Sequence, residues 1–166
     1  MFPFGEKLLL RPPPLASYAE TSRLLLVGHG LSYSTFSLSS LALPRSPVFS
    51  PPTPLGSITF SVTLTNTSAI AGSEVVQVYI LPPSSTKLER PKKELKNFLK
   101  VMLGAGGKKD VSFTLDKVSI SYWDDRKDCW VAEKGIYGIW VGGSSFDDGA
   151  VVGEFHVEEE FTWRGL

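Results

Sequence analysis

The chain has 166 residues, 42% of them hydrophobic, which suits one domain of ordinary size with a real core plus an irregular extension. Its 17 basic and 17 acidic residues cancel, so no net field draws nucleic acid or an anionic membrane, and no apolar run approaches the ~18 residues needed to cross a bilayer. The lone cysteine, Cys129, excludes an internal disulfide framework and any multi-cysteine zinc site.

Residues 1–33 read as an irregular N-terminal extension. Two leucine triplets, at 8–10 and 24–26, flank Arg11-Pro-Pro-Pro14, and three consecutive prolines forbid a regular helix or a central strand. The triplets are too short for the core of a signal peptide and the start lacks the usual charged opening, so no signal peptide is expected within this chain. Over 34–43, Phe36, Leu38 and Leu41 suggest a first strand, and the proline-dense stretch 44–54 reads as a link between strands. In 57–65, Ile58, Phe60, Val62 and Leu64 alternate with hydroxylated residues, the pattern of a half-buried strand. A turn over 66–73 and a second strand over 74–81 follow. The two read as a joined pair that must pack on another sheet.

Beyond a polar loop from Pro82 to Pro91, residues 95–103 are ambiguous, because Leu95, Phe98, Val101 and Met102 also satisfy a helical period. Pro91 and the Gly104-Ala-Gly-Gly107 turn, read as a hairpin turn, favour a strand. Alternation returns over 109–115, and 116–124 has the composition of a corner in which a tyrosine hydroxyl could anchor the backbone. A short strand over 129–132, a tight turn at 133–135 and a strand over 136–141 form a hairpin. Tyr137, Ile139 and Val141 take one face of that last strand, Ile136 and Trp140 the other, so it is expected to be central or to lie under a partner. A final strand spans 151–157. The whole reads as all-β: an immunoglobulin or fibronectin type III-like β-sandwich of seven or eight strands over 34–158, with 159–166 as a solvated tail.

Candidate chemistry is sparse. Asp124-Asp125 and Asp147-Asp148 sit in polar turns, where adjacent side chains diverge and cannot flank a glycosidic bond. The only histidines, His29 and His156, have no second ligand at metal spacing, and neither a metal nor a cofactor is expected. Of the four tryptophans, Trp123, Trp130 and Trp140 lie in or beside predicted strands; core or interface is the leading reading and a platform for sugar contact the lesser one. Asn66-Thr-Ser68 meets the N-glycan acceptor pattern.

Several phrases stand in order along the chain: Gly28-His-Gly-Leu-Ser-Tyr33 with Thr35-Phe36, Val62-Thr-Leu-Thr-Asn-Thr67, Ala71-Gly-Ser-Glu-Val-Val-Gln-Val-Tyr79, Glu89-Arg-Pro91 with Lys93-Glu-Leu-Lys96 and Phe98, Ser121-Tyr-Trp-Asp124, and Gly135-Ile-Tyr137 with Ile139-Trp-Val-Gly142. Together they resemble the C-terminal fibronectin type III-like domain of glycoside hydrolase family 3 β-glucosidases. The resemblance implies a module that follows a barrel domain and an α/β domain, which carry the nucleophilic aspartate, in a Ser-Asp-Trp context, and the acid/base glutamate. This chain contains no Ser-Asp-Trp, so no catalytic residue carries over. It further implies a stabilising and docking role, with the catalytic domains as partner and His29, Tyr33, Glu89, Arg90, Pro91, Glu94, Trp123 and Trp140 as candidate docking residues. The full-length family would be extracellular and would hydrolyse terminal β-glucosyl residues. A stand-alone carbohydrate-binding or protein-interaction module is the alternative.

The family's opening phrase runs Phe-Pro-Phe-Gly-His-Gly-Leu-Ser-Tyr unbroken, whereas here Phe2-Pro-Phe-Gly5 and His29-Gly-Leu-Ser-Tyr33 are separated by residues 6–28. The insert corresponds to ~69 bases, a whole number of codons, and its ends can be encoded as GGTGAG and GTAGG, so we hypothesise a retained intron. Genomic codons without splice signals at those ends would sink the idea.

Overall fold

The computed structural model describes residues 30, 32–44, 56–86 and 88–165, together with the backbone of 48–49. The expectations for the extension as far as His29, and for most of the proline-dense link, lie outside those residues.

Three antiparallel strands, β1 (Phe36–Ala42), β3 (Ile58–Asn66) and β6 (Lys108–Leu115), form one sheet in the order β1-β3-β6. A second sheet has the order β2-β10-β9-β4-β5, from β2 (Val48–Phe49), β4 (Gly72–Leu81), β5 (Glu94–Leu103), β9 (Gly135–Gly142) and β10 (Val151–Val157). Its β2 runs parallel to β10, and its other neighbours are antiparallel. The alternation read from 57–65 appears in the structure: Ile58, Phe60, Val62 and Leu64 are buried, as are Val111, Phe113 and Leu115 across from them. Val76, Val78 and Ile80, Tyr137, Ile139 and Val141, and Phe155 and Val157 supply the facing layer of the same core. Within it Tyr137 stacks on Phe155 at 5.3 Å between ring centroids.

The strands over 57–65 and 74–81 are not the hairpin pair that their sequence adjacency suggests. β3 belongs to the first sheet and β4 to the second, so the turn between them is an arch across the sandwich. The Gly104–Gly107 turn is likewise an arch, from β5 in one sheet to β6 in the other, and not a hairpin turn. One buried side chain braces both arches. Asn66 Nδ2 donates to the carbonyls of Ile70 (2.8 Å), Leu103 (3.3 Å) and Gly104 (3.0 Å), while Oδ1 accepts from Ser68 N (3.0 Å) and Ser68 Oγ (2.6 Å). Gly72, just past the first arch, passes so close to Ser34 that a Cβ there would overlap it.

The ambiguous stretch is a strand, and a bulge explains its helical look. Val78 pairs with Asn97 but Tyr79 with Leu95, which leaves Lys96 as an extra residue. The bulge shifts alternation by one position, so Leu95 and Phe98 share a face at a spacing of three.

Two further corrections concern the corner and the end of the chain. The corner holds a short helical turn, α1 (Lys117–Ile120), capped by Asp116, whose carboxylate accepts from Ser119 N at 2.9 Å. The anchoring tyrosine is not Tyr122 in that corner but Tyr137 at the start of β9: its hydroxyl donates to Glu133 O and accepts from Glu133 N, both at 3.1 Å. That places it where a tyrosine corner reaches back to the upstream backbone, and burial pushes its hydroxyl up to about 12. Residues 159–166, expected as a solvated tail, instead include β11 (Phe161–Trp163). With β8 (Cys129–Ala132) and β7 (Tyr122–Asp124) it makes a small third sheet, ordered β11-β8-β7. The segment is held by Trp130 stacking on Trp163 at 5.4 Å and by Trp163 Nε1 donating to Ser121 Oγ at 3.1 Å.

Candidate docking surface

The residues singled out in the sequence fall into three environments. Tyr33, Glu89 and Pro91 are exposed, Tyr33 almost completely; His29 lies outside the described residues.

Arg90 and Glu94 point inward and staple the 82–93 loop to the body. The Arg90 side chain is only 7% exposed, with Nη2 2.9 Å and Nε 3.1 Å from Glu94 Oε1 and its guanidinium carbon 4.9 Å from the centre of the Tyr122 ring. Nη1 faces Glu133 Oε2 at 4.0 Å, and neither of these two buried atoms has a hydrogen-bond partner among the described residues. Burial works to raise the Glu94 carboxyl, but the hydrogen bond and charge of Lys96, with those of Arg90, outweigh it and hold the group below its ordinary value. The cluster ties Arg90 to Glu94 and sets it against Tyr122.

The tryptophans form no row of coplanar rings. Trp123 meets Trp130 edge-on at 5.6 Å and 74°, Trp130 and Trp163 cover one another's faces, and Lys117 Nζ lies 4.2 Å from the Trp163 ring centre. Trp140 sits apart, edge-on to Tyr79 at 5.2 Å and beneath Lys93 Nζ at 3.9 Å. Burial lowers the Lys93 ammonium from its ordinary value.

Sequence reading missed the pairing of Glu74 with Asp147, which line a recess of about 170 Å³. Burial pushes the Glu74 carboxyl up, the Val75 N–H opposes this, and the Asp147 charge adds to the rise. Both carboxylates are nevertheless committed to backbone: Glu74 Oε1 accepts from Val75 N at 2.9 Å, and Asp147 accepts from Gly143 N at 2.7 Å and Gly149 N at 2.8 Å. They pin a turn. Among the described residues no group of three or more His, Cys, Asp or Glu could hold a metal ion. Asn66, the expected glycan acceptor, is fully buried and its amide nitrogen donates to three carbonyls.

What the arrangement supplies is surface, built on a sandwich whose core, arches and tyrosine corner are in place. Residues 74–145 match the fibronectin type III-like domain family. The chain carries a fibronectin type III-like domain. Across 140 residues it is 44% identical to a probable β-glucosidase I of Aspergillus niger, a match covering 84% of this chain and 17% of that protein. A probable β-glucosidase I of Emericella nidulans is 40% identical over 149 residues, with 89% and 17% covered. Among solved structures, the β-glucosidase of Kluyveromyces marxianus superposes with a TM-score of 0.69 at 43% identity, over 84% of this chain and 16% of that one. A β-glucosidase from Listeria innocua in complex with gluconolactone gives 0.68 at 37% identity, over 80% and 17%. The fibronectin type III-like chain thus spans about one sixth of the length of the β-glucosidases it matches. Its resemblance to the C-terminal module of family 3 β-glucosidases, read first from short phrases, holds across most of its length.

Proposed function

We propose that this fibronectin type III-like domain is the non-catalytic module of a β-glucosidase-type polypeptide, where it docks on and stabilises the catalytic domains. The observation that carries the reading is the asymmetry of coverage: four fifths or more of this chain matches about one sixth of β-glucosidase chains. The longer polypeptide would cleave terminal β-linked glucose by double displacement, using carboxylates outside this chain. A stand-alone carbohydrate-binding role is not favoured, because Trp130 and Trp163 stack on each other and leave no open row of rings for a sugar. The test is an assay of the purified 166-residue chain against p-nitrophenyl β-glucoside. Release of nitrophenol no faster than in buffer is the expected result, and turnover at a rate typical of enzymes would overturn the non-catalytic reading.

A further inference from the structure

Resting on that reading, we propose that the module docks through the outer face of its five-stranded sheet, against an apolar surface on the catalytic part of the same polypeptide.

The two outer faces of the sandwich differ in kind. On the three-stranded sheet the outward positions are mainly hydroxylated or charged and satisfy one another: Thr35 with Thr67 at 2.7 Å, Thr59 with Thr114 at 3.0 Å, Thr63 with Asp110 at 2.7 Å. Such a face is at ease in water. On the five-stranded sheet the outward positions are mixed: Gln77 and Tyr79 are buried, with Lys93 over Tyr79 and Trp140, and Glu154 and His156 are exposed, but large apolar residues also face out. Phe98 and Met102 of β5, Ile136 of β9 and Val152 of β10 are 64%, 74%, 60% and 69% exposed. Val152 stands opposite Trp140 in the ladder. Antiparallel sheets that face water on one side alternate apolar with polar residues, so an outward apolar set marks a face that something covers. An open recess of about 430 Å³ on this sheet, lined by Leu81, Gly138, Val152 and Glu154, gives a partner side chain a place to enter.

The comparisons select the occupant. The matched β-glucosidases hold about five sixths of their length outside the segment that this chain covers. A tether of that kind raises effective concentration to the millimolar range, so a modest apolar face suffices. The exposed charges on the face are of both signs, Lys100 between Phe98 and Met102 on β5 and Glu154 on β10, and neither has an ion pair among the described residues.

The test uses the Kluyveromyces marxianus β-glucosidase with its matching segment replaced by the aligned residues of this chain. Phe98→Glu with Met102→Glu, and separately Val152→Glu, place charge on the apolar face; Lys108→Asp with Ser112→Asp place it on the hydroxylated one. The same substitutions in the 166-residue chain, followed by urea unfolding, identify any variant that damages the module itself, and the remaining apolar-face variant then decides. The expected result is a heat-inactivation half-life about tenfold shorter for the apolar-face variants and unchanged for the hydroxylated-face variant. Equal effects on both faces, or an effect confined to the hydroxylated face, overturn the assignment and leave the module reading intact. If the enzyme with the segment deleted keeps the parent half-life, the module reading itself fails. A dimer of the 166-residue chain in sedimentation, dissociated by Phe98→Glu with Met102→Glu, would identify a second copy as the occupant and also overturn the proposal.

Discussion

Replacing Asn66 by alanine is expected to destabilise the domain by ~3 kcal/mol, because it strands the carbonyls of Leu103 and Gly104 and the Ser68 N–H, while Ser68 Oγ still donates to Ile70 O at 3.1 Å. Against a typical total of about 5–15 kcal/mol that is a large fraction, and it should appear as a lower urea midpoint with an unchanged slope. Asn66→Asp is the sharper variant. It keeps the shape but turns the donating nitrogen into an oxygen that faces the carbonyls of Ile70, Leu103 and Gly104, so its loss at neutral pH should match or exceed that of alanine. If the aspartate variant unfolds within about 1 kcal/mol of the parent, the brace contributes no more than an ordinary surface hydrogen bond. The reason for a large effect is topological: Asn66 holds both connections that carry the chain from one sheet to the other, so losing it loosens two crossings at once.

Arg90→Ala is expected to cost about 3–5 kcal/mol, since it leaves the carboxylates of Glu94 and Glu133 partly buried without their shared guanidinium. Arg90→Lys should recover only part of this, because a single ammonium cannot reproduce the two-nitrogen contact on Glu94 and the contact over Tyr122. Combining Arg90→Met with Glu133→Gln should recover more than Arg90→Met alone, since the double change leaves no unpaired charge opposite position 90. A double variant that adds the two single losses would show that Arg90 and Glu133 do not interact across their 4.0 Å gap. The acid limb gives an independent reading. The Glu94 carboxyl is held below its ordinary value of 4.5, so its contribution is fully present above that pH and is lost as pH falls through the lower folded value. With Arg90 gone the depression shrinks, and stability should fall less steeply below pH 4.5 than in the parent.

The positions of the candidate docking residues were legible from the sequence to different degrees. Arg90, Glu94 and Trp140 were picked from phrases shared with a family, and the structure brings them into the elements that set the 82–93 loop against the sheet. Whether a member of the phrase faces in or out was not legible: Arg90 is 7% exposed at its side chain while its neighbours Glu89 and Pro91 are exposed. Phe98 and Met102, the largest outward apolar residues on β5, carried a helical signal, because the bulge at Lys96 shifts alternation by one position. Bulges depend on the partner strand, which a single segment does not announce.

By itself the sequence determined what is local. The period of two in 58–64 and 111–115 follows from pleated backbone geometry and appears in the structure as inward positions buried and the ones between them more open. The absence of Ser-Asp-Trp is likewise a property of the sequence alone. Only the tertiary structure decided which sheet each strand joins, that Asn66 is a buried brace, that Tyr137 rather than Tyr122 anchors a corner, and that residues 161–163 pair with β8. Those outcomes rest on contacts between residues far apart in the chain, from the bond of Trp163 to Ser121 to the pairing of Val48 with His156. The alternation that makes a strand is satisfied equally well in either sheet, so the choice falls to packing and to hydrogen bonds that exist only once the chain has closed on itself.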